Sequence, residues 1–193
     1  MTFTDLVVTT IRDPEEAAHR LMGWGLPRNA LYEAVIAVAA LNAILLGISS
    51  LLMPQPTILP VFFTQPFIYF VVMAGGLVIY ANLLYWAGRA MGGTGDMGDI
   101  LTLVVWLQGL RALAQILVTV LSFVIPALAA LLGLVVSIYA LYVLIKFIKA
   151  AHRFGSIMQS IGLLIVVSAG LIIALMMVLT LAGVSVNGVA PNV

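Results

Sequence analysis

The chain has 193 residues, of which 64% are hydrophobic and only 8% charged, with a formal net charge of +1. Soluble domains carry about a quarter of charged residues, so this composition excludes a soluble globular protein and predicts an integral membrane protein. Nucleic-acid binding requires clustered Lys and Arg, which a chain this poor in charge lacks. The sequence contains no cysteine, which excludes disulfides and thiolate metal sites. We therefore expect no nucleic-acid partner and no cofactor.

The first predicted element is a short helix in the segment 1–28, ahead of any long apolar run. The sequence Asp-Pro-Glu-Glu at 13–16 is typical of a helix start, with aspartate as N-cap, proline at the first position and Glu16 placed to complete a capping box. The helix is expected to end near Gly23 or Gly25. Its apolar positions share one face: Ala17, Ala18, Leu21 and Met22. Two interpretations are open, an amphipathic helix in the lipid headgroups or a short helix packed under the membrane helices.

Apolar runs between the charge clusters predict five membrane-spanning helices: 30–52, 67–89, 100–123, 127–149 and 157–183. The charge-free stretch 34–88 is long enough for two crossings, and the four prolines near its middle predict the turn of a helical hairpin. The predicted fold class is all-α, an integral membrane bundle of five transmembrane helices (29–183). A short amphipathic interfacial helix precedes the bundle, and a short outer tail, 184–193, follows it.

Lysine and arginine are distributed asymmetrically between the two sides of this predicted bundle. One side receives all but one of them: Arg12, Arg20, Arg28, Arg89, Lys146, Lys149 and Arg153. The opposite side receives none. The positive-inside rule therefore predicts a cytoplasmic N-terminus and a C-terminus on the outer side.

The third predicted span carries a polar stripe on one helical face: Gln108, Arg111, Gln115, Thr119 and Ser122. Arg111 lies about 18 Å along the helix from Asp99, near the bilayer midplane, where a lone arginine costs roughly 3 kcal/mol and must face protein or water. Candidate partners are Glu33, the first choice, and the amide oxygens of Asn42 and Asn82. An interhelical polar clamp is favoured over a substrate or ion pathway or an anionic-lipid headgroup site, because no second ionisable residue near the midplane can relay a proton.

The fourth predicted span ends in a second stripe that grows more basic toward the cytoplasm: Tyr139, Tyr142, Lys146, Lys149 and Arg153. This pattern is typical of an aromatic belt with a positive-inside anchor, which we favour over specific recognition of anionic lipid headgroups. His152 lies just after the span. Because the sequence shows no oriented partner for it, we expect this histidine at the interface rather than in chemistry.

The loop between the second and third spans is rich in glycine and acidic residues: Gly92, Gly93, Gly95, Asp96 and Asp99. It lacks the Gly-Lys-Ser/Thr ending of a phosphate-binding loop, so a flexible turn with Asp96 capping the third span is favoured. Two carboxylates without further oxygen ligands do not make a metal site. Because no acid, base and nucleophile converge in the predicted spans, we expect no enzyme activity.

Small residues occur together at several places in the predicted helices: Gly75 with Gly76, Gly88 with Gly92, and Ala169 with Gly170 and Ala174. Such residues let helix backbones approach closely. They serve either the packing of the bundle itself or contacts between copies, and the sequence leaves both open.

Three motifs together resemble the Ypt-interacting protein (Yip) family, in particular its prokaryotic members. They are Asp13-Pro14, Arg-Ala-Met-Gly-Gly-Thr-Gly at 89–95 followed by Asp99, and Ala-His-Arg-Phe at 151–154. The resemblance covers nearly the whole chain and implies a non-enzymatic multi-pass protein of the bacterial cytoplasmic (inner) membrane. Eukaryotic relatives associate with Rab-type GTPases and with one another, an activity not carried over here because no motif for the GTPase surface is visible. The chain departs from the family's pattern at Met158, Gln159 and Ser160.

Two functions follow from this reading. The first is a Yip-family membrane scaffold or adaptor in membrane organisation or a trafficking-like process, with other membrane proteins or itself as partners. The alternative is a small permease or lipid-handling protein that uses the polar site around Arg111, with the bilayer and anionic lipid as partners. A dry, paired arginine would favour the scaffold, and an accessible polar cavity would favour the alternative.

Overall fold

The computed structural model describes residues 2–52 and 65–181. These residues form seven helices and no strand: α1 (Phe3–Arg12), α2 (Pro14–Met22), α3 (Arg28–Leu52), α4 (Pro66–Ala90), α5 (Met97–Val124), α6 (Pro126–His152) and α7 (Ile157–Leu181). Five of them, α3 to α7, are long and apolar enough to cross a membrane. The predicted all-α membrane bundle is therefore confirmed. The predicted hairpin turn around 53–64 and the tail 184–193 lie outside the described residues.

Helix α2 begins as the sequence predicts. Asp13 is the N-cap, and its Oδ1 accepts a hydrogen bond from the backbone N–H of Glu16 at 3.1 Å. Glu16 does not complete the predicted capping box, since its Oε1 accepts a hydrogen bond from Arg20 Nε at 2.6 Å instead. The helix ends at Met22, with Gly23 as its C-cap. The predicted start and end of this helix are both confirmed.

Helix α1 precedes α2 and was not predicted. Its N-terminus is closed by a capping box in which the Asp5 N–H donates to Thr2 Oγ1 at 3.2 Å and the Thr2 N–H donates to Asp5 Oδ2 at 2.9 Å. Leu6 and Thr10 on its inner face are buried. The N-terminal segment is thus a pair of packed helices rather than a single one.

The apolar face of α2 packs against protein. Ala17, Ala18 and Leu21 are fully buried and belong to the same core cluster as residues of the membrane helices. The neighbours of α2 in the fold are α1, α5 and α6. Of the two interpretations open for this helix, the structure supports the one in which it packs against the bundle.

The buried core lies at one end of the bundle, named here the charged end, where α3, α5 and α7 begin and α4 and α6 end. Its large members from the membrane helices come mostly from this half: Leu31, Val35, Leu84, Leu101, Leu103, Phe147, Ile148 and Leu163. Toward the opposite end, most side chains of α5 after Leu107 are half-buried or exposed. The helices therefore pack tightly at the charged end and leave space between them in the other half.

Candidate functional site

Arg111 is the cation that lies farthest from the charged end among the described residues. It follows Met97 by about 21 Å of helical rise and precedes Val124 by about 20 Å, so it lies at the middle of α5. Its side chain is exposed, and it forms no ion pair or hydrogen bond with any described residue. An exposed, unpaired guanidinium in the middle of a membrane helix is the feature from which the site is built.

Arg111 lines a cavity of about 440 Å³ between α3, α4 and α5, named here the polar cavity. Four of the residues predicted for an intramembrane polar site line it together: Asn42, Gln108, Arg111 and Gln115. Ser49 of α3 and Tyr69 of α4 contribute hydroxyl groups to the same walls. The cavity thus combines one fixed positive charge with neutral groups that both donate and accept hydrogen bonds.

Two residues predicted for this site lie elsewhere. Glu33 is exposed on α3 and forms no ion pair within 2–52 or 65–181. It precedes Asn42 by about 13 Å of helical rise, which is why it does not reach the cavity that Asn42 lines. Asn82 Nδ2 donates to the Val78 carbonyl at 2.8 Å, within its own helix. The predicted Glu33–Arg111 clamp is therefore wrong for the described part of the chain.

The remainder of the stripe on α5 is satisfied locally. Gln115 Nε2 donates to Thr119 Oγ1 at 3.3 Å, and Ser122 Oγ donates to the Thr119 carbonyl at 2.6 Å. Asn42 Nδ2 on the facing helix donates to the Val38 carbonyl at 2.8 Å. Because each of these amide groups keeps a free oxygen acceptor but has its donors partly engaged, the charge of Arg111 is the strongest unused interaction in the cavity.

A second cavity, also of about 440 Å³, opens between α1, α5 and α6 and is named here the apolar groove. Arg111 lines it as well. Most other lining side chains are aliphatic: Val7, Ile11, Leu107, Leu110, Leu113, Ala114, Leu117, Val135, Val136, Ala140 and Val143. The sequence did not predict this groove, because part of its wall comes from the unpredicted helix α1.

Two hydrogen bonds from aromatic side chains fix α1 beside the groove. Trp106 Nε1 donates to Thr10 Oγ1 at 3.0 Å, and the Tyr139 hydroxyl donates to the Ile11 carbonyl. The rings of Phe3 and Trp24 meet the Trp106 indole edge-to-face, with centroids 5.5 and 6.3 Å away. Tryptophan and tyrosine with one apolar side and one polar tip are typical of the membrane interface.

A separate cluster at the charged end surrounds His152, which is 1% exposed. A Cβ atom at Gly88 would overlap its imidazole ring, and at Gly93 and Gly95 it would lie 2.8 and 2.7 Å from Nδ1. Neither ring nitrogen has a hydrogen-bond partner among the described residues. His152 lies at the end of α6, where three glycines without side chains make room to bury it within the protein.

The glycine loop between α4 and α5 is held in place by this cluster. The Thr94 N–H donates to the His152 carbonyl at 3.0 Å, and the His152 ring stacks on Phe154 with centroids 5.2 Å apart. Gly92 adopts a φ of 86°, which L side chains rarely adopt. Asp96 caps α5 as predicted, with its Oδ2 accepting from the Gly98 N–H at 2.7 Å. These contacts make the loop a packed joint between α4, α5 and α6.

A comparison with protein families matches the Yip1 domain over residues 8–180. The chain belongs to this family. The match covers α2 to α6 and all but the last residue of α7, and it includes both the glycine loop and His152. No curated protein and no solved structure matches the chain. The Yip family is generally non-enzymatic, and the described residues of this Yip1-domain protein contain no group of three His, Asp or Glu side chains placed to hold a metal ion.

Three basic residues of this Yip1-domain protein, in the last two turns of α6 and just after it, are engaged within the fold. Lys146 Nζ and Lys149 Nζ lie 2.7 and 3.0 Å from Glu15 Oε1, and Arg153 Nη1 donates to Thr94 Oγ1 at 3.5 Å. The hydrogen bond from Lys146 and the adjacent charges lower the pKa of Glu15. Two of the three cations predicted to face lipid headgroups therefore anchor α2 to α6.

Proposed function

We propose that this Yip1-domain protein binds an anionic ligand at Arg111, as a small permease or lipid-handling protein of the membrane. The observation that carries the proposal is the exposed, unpaired guanidinium that lines the polar cavity. An uncompensated arginine near the centre of a membrane helix costs about 3 kcal/mol on insertion scales, so its retention needs a compensating interaction. An anion in the cavity supplies that interaction through a charge-assisted hydrogen bond.

The surrounding groups fit an anion better than a cation. No carboxylate lines the polar cavity, whereas Gln108, Gln115 and Asn42 offer amide N–H groups and Ser49 and Tyr69 offer hydroxyls, all within the described walls. A guanidinium with amide and hydroxyl donors around it is suited to phosphate or carboxylate oxygens. Nothing in this set is an activated nucleophile, so the chemistry supported is binding and passage rather than bond cleavage.

Ligand-dependent stabilisation of the purified protein tests this proposal. Phosphatidylglycerol, phosphatidylcholine and inorganic phosphate are added separately to the detergent-solubilised protein, and the thermal unfolding midpoint is measured. We expect an anion to raise the midpoint, Arg111→Leu to abolish that shift, and Arg111→Lys to retain part of it. Arg28→Leu, which removes an exposed arginine at the charged end, serves as the control. Equal stabilisation of Arg111→Leu and the unaltered protein would overturn the proposal.

The scaffold or adaptor role is a second proposal, supported by the open space around three glycines. A Cβ atom at Gly75, Gly76 or Gly170 would meet no described atom within 4 Å, whereas Gly88 is filled by His152. Small residues that no internal helix uses are suited to close contact with another membrane helix. This leaves a lateral surface for a second copy or another membrane protein.

Cross-linking in native membranes followed by mass spectrometry tests the scaffold proposal. We expect Gly76→Leu to remove a specific cross-linked partner by blocking close approach of its helix. Val71→Leu, at an exposed position of the same helix that already carries a branched side chain, is the matched control. A cross-link pattern that is the same in Gly76→Leu and in the unaltered protein would count against the scaffold role.

We also propose that the charged end faces the cytoplasm of a bacterium, with the N-terminus inside and the C-terminus outside. The proposal is supported by the concentration of Lys and Arg at that end. Polybasic segments that flank membrane helices are retained on the cytoplasmic side during insertion.

A further inference from the structure

We infer that the anion at Arg111 is the headgroup of a lipid, whose hydrocarbon chain lies in the apolar groove between α1, α5 and α6. This inference rests on the proposed function. The observation that supports it is that Arg111 lines both the polar cavity and the apolar groove. A soluble anion would use the polar cavity alone, whereas an amphiphile uses both a charge and an adjoining apolar surface.

The periodicity of α5 places Arg111 at the boundary of the two spaces. Gln108 and Gln115 project within about 20° of each other on an ideal helix, and Arg111 lies about 60° from Gln108. Leu110 and Leu117, which line the groove, project on the opposite side. A headgroup held by the guanidinium therefore has polar groups on one side and aliphatic side chains on the other.

The aromatic residues around α1 indicate how deep in the membrane this headgroup lies. Trp106 precedes Arg111 by about 7.5 Å of helical rise, and its indole N–H binds α1. Trp106 and Tyr139 are residue types that occur at the membrane interface. The guanidinium lies within reach of an interface at this level, because the apolar stem of arginine can extend toward it. The chain then follows the groove away from α1 toward Leu117 and Val135.

The hydrocarbon chain is positioned by the groove rather than bound tightly by it. Lipid tails and leucine side chains are equally apolar, so moving a chain from the bilayer into the groove changes its solvation little. Affinity and selectivity must then come from the charge at Arg111. The distinctive consequence is positional: a lipid selected by its headgroup should place its chain terminus at the groove residues.

Photo-cross-linking in nanodiscs tests this placement. A phosphatidylglycerol with a diazirine at its chain terminus is compared with the matching phosphatidylcholine, and labelled residues are mapped by mass spectrometry. We expect phosphatidylglycerol to label the groove about tenfold more than phosphatidylcholine does. Both lipids carry a phosphate, but the choline cation of phosphatidylcholine repels the guanidinium. Ile172 and Ile173 of α7, 57% and 67% exposed, report labelling by bulk lipid. Arg111→Leu should reduce groove labelling to that level.

A second experiment uses a variant that fills the groove and leaves Arg111 unchanged. Ala140→Trp places a large side chain in the groove, and Ala130→Trp places the same side chain at an exposed position of the same helix. We expect Ala140→Trp to lose groove labelling and to keep the Arg111-dependent stabilisation by phosphatidylglycerol. Ala130→Trp should keep both.

The outcomes separate this inference from the proposed function. Stabilisation by inorganic phosphate equal to that by phosphatidylglycerol, both dependent on Arg111, would overturn the inference and leave the proposed function standing. Stabilisation by phosphatidylglycerol, together with photo-labels spread equally over α7 and the groove, would also overturn the inference and leave the proposed function standing. Stabilisation by neither anion would overturn both.

Discussion

At the scale of single residues, Arg111 and His152 illustrate opposite solutions for a polar side chain in an apolar fold. Arg111 stays exposed beside open space, while His152 is buried where three glycines leave room for its ring. Under the proposed function, the open space beside the charge of Arg111 receives a ligand. The filled space around the His152 ring contributes to the packing of three helices. The two residues therefore predict different responses to substitution.

Arg111→Leu is expected to change the free energy of unfolding of the ligand-free protein by no more than about 0.5 kcal/mol, because the guanidinium is exposed and no described contact of it is lost. The measurement is unfolding of the delipidated protein in detergent. Gln108→Leu, on the same face, controls for a change in the polarity of the cavity. A clear loss of stability in Arg111→Leu would instead indicate a clamp between helices.

Gly88→Ala is expected to destabilise the protein by about 1–3 kcal/mol or more, because the added methyl group overlaps the His152 ring inside a tightly packed joint. Gly109→Ala, at a glycine with open space, should have little effect or stabilise its helix. Thermal unfolding of both variants is the measurement. Adding His152→Ala to Gly88→Ala should recover part of the loss, and strict additivity of the two substitutions would exclude their contact.

At the scale of elements, the helix pair α1–α2 is held to the bundle by polar contacts on either side of the junction between the two helices. Glu15 binds Lys146 and Lys149, and Thr10 binds Trp106. Apolar burial at Ala17, Ala18 and Leu21 follows these contacts along α2. Because α1 forms one wall of the apolar groove, the docking of this pair determines whether the groove exists.

Docking of α1–α2 is expected to weaken in acid. The hydrogen bond from Lys146 lowers the pKa of Glu15 in the folded protein, so the pair contributes fully at pH values above the ordinary glutamate range. That contribution is lost as the pH falls through the lowered pKa. Hydrogen exchange of the α1 and α2 amides, measured against pH, should show this loss in the unaltered protein and a smaller pH dependence in Glu15→Gln. Glu16→Gln, at an exposed pair with Arg20, should behave like the unaltered protein.

Local chemistry made most elements predictable, whereas long-range contacts were not. The Asp13-Pro14 start of α2 follows from capping, and the membrane helices follow from uninterrupted apolar runs. Helix α1 was missed although Thr2 and Asp5 have the spacing of a capping box, because its burial depends on side chains about a hundred positions later. The polar stripe around Arg111 was predicted from helical periodicity. The position of Glu33 along the bundle axis relative to Arg111 could not be predicted, because it depends on how α3 packs on α5.

At the scale of the whole molecule, the core is concentrated at the charged end and the cavities lie toward the middle of the bundle. Buried contacts among α3 to α7 cluster where the loops 91–96 and 153–156 connect them. A bundle built in this way can hold its helices in fixed positions at the charged end, while the space between them in the other half can admit a ligand. This asymmetry places the proposed site beside lipid rather than within a sealed core.

Which end faces the cytoplasm decides from which leaflet a lipid headgroup would approach Arg111. The chain lacks cysteine, so single-cysteine variants can be labelled without background. Gly155→Cys at the charged end and Gln65→Cys at the start of α4 are both exposed. We expect a membrane-impermeant maleimide to label Gly155→Cys in inside-out vesicles only and Gln65→Cys in intact cells only, because positively charged loops are retained inside. Labelling of both variants in detergent, where both sides of the membrane are accessible, shows that each cysteine reacts with the maleimide. The reverse pattern would place the Lys and Arg outside, and a headgroup reaching Arg111 past α1 would then come from the outer leaflet.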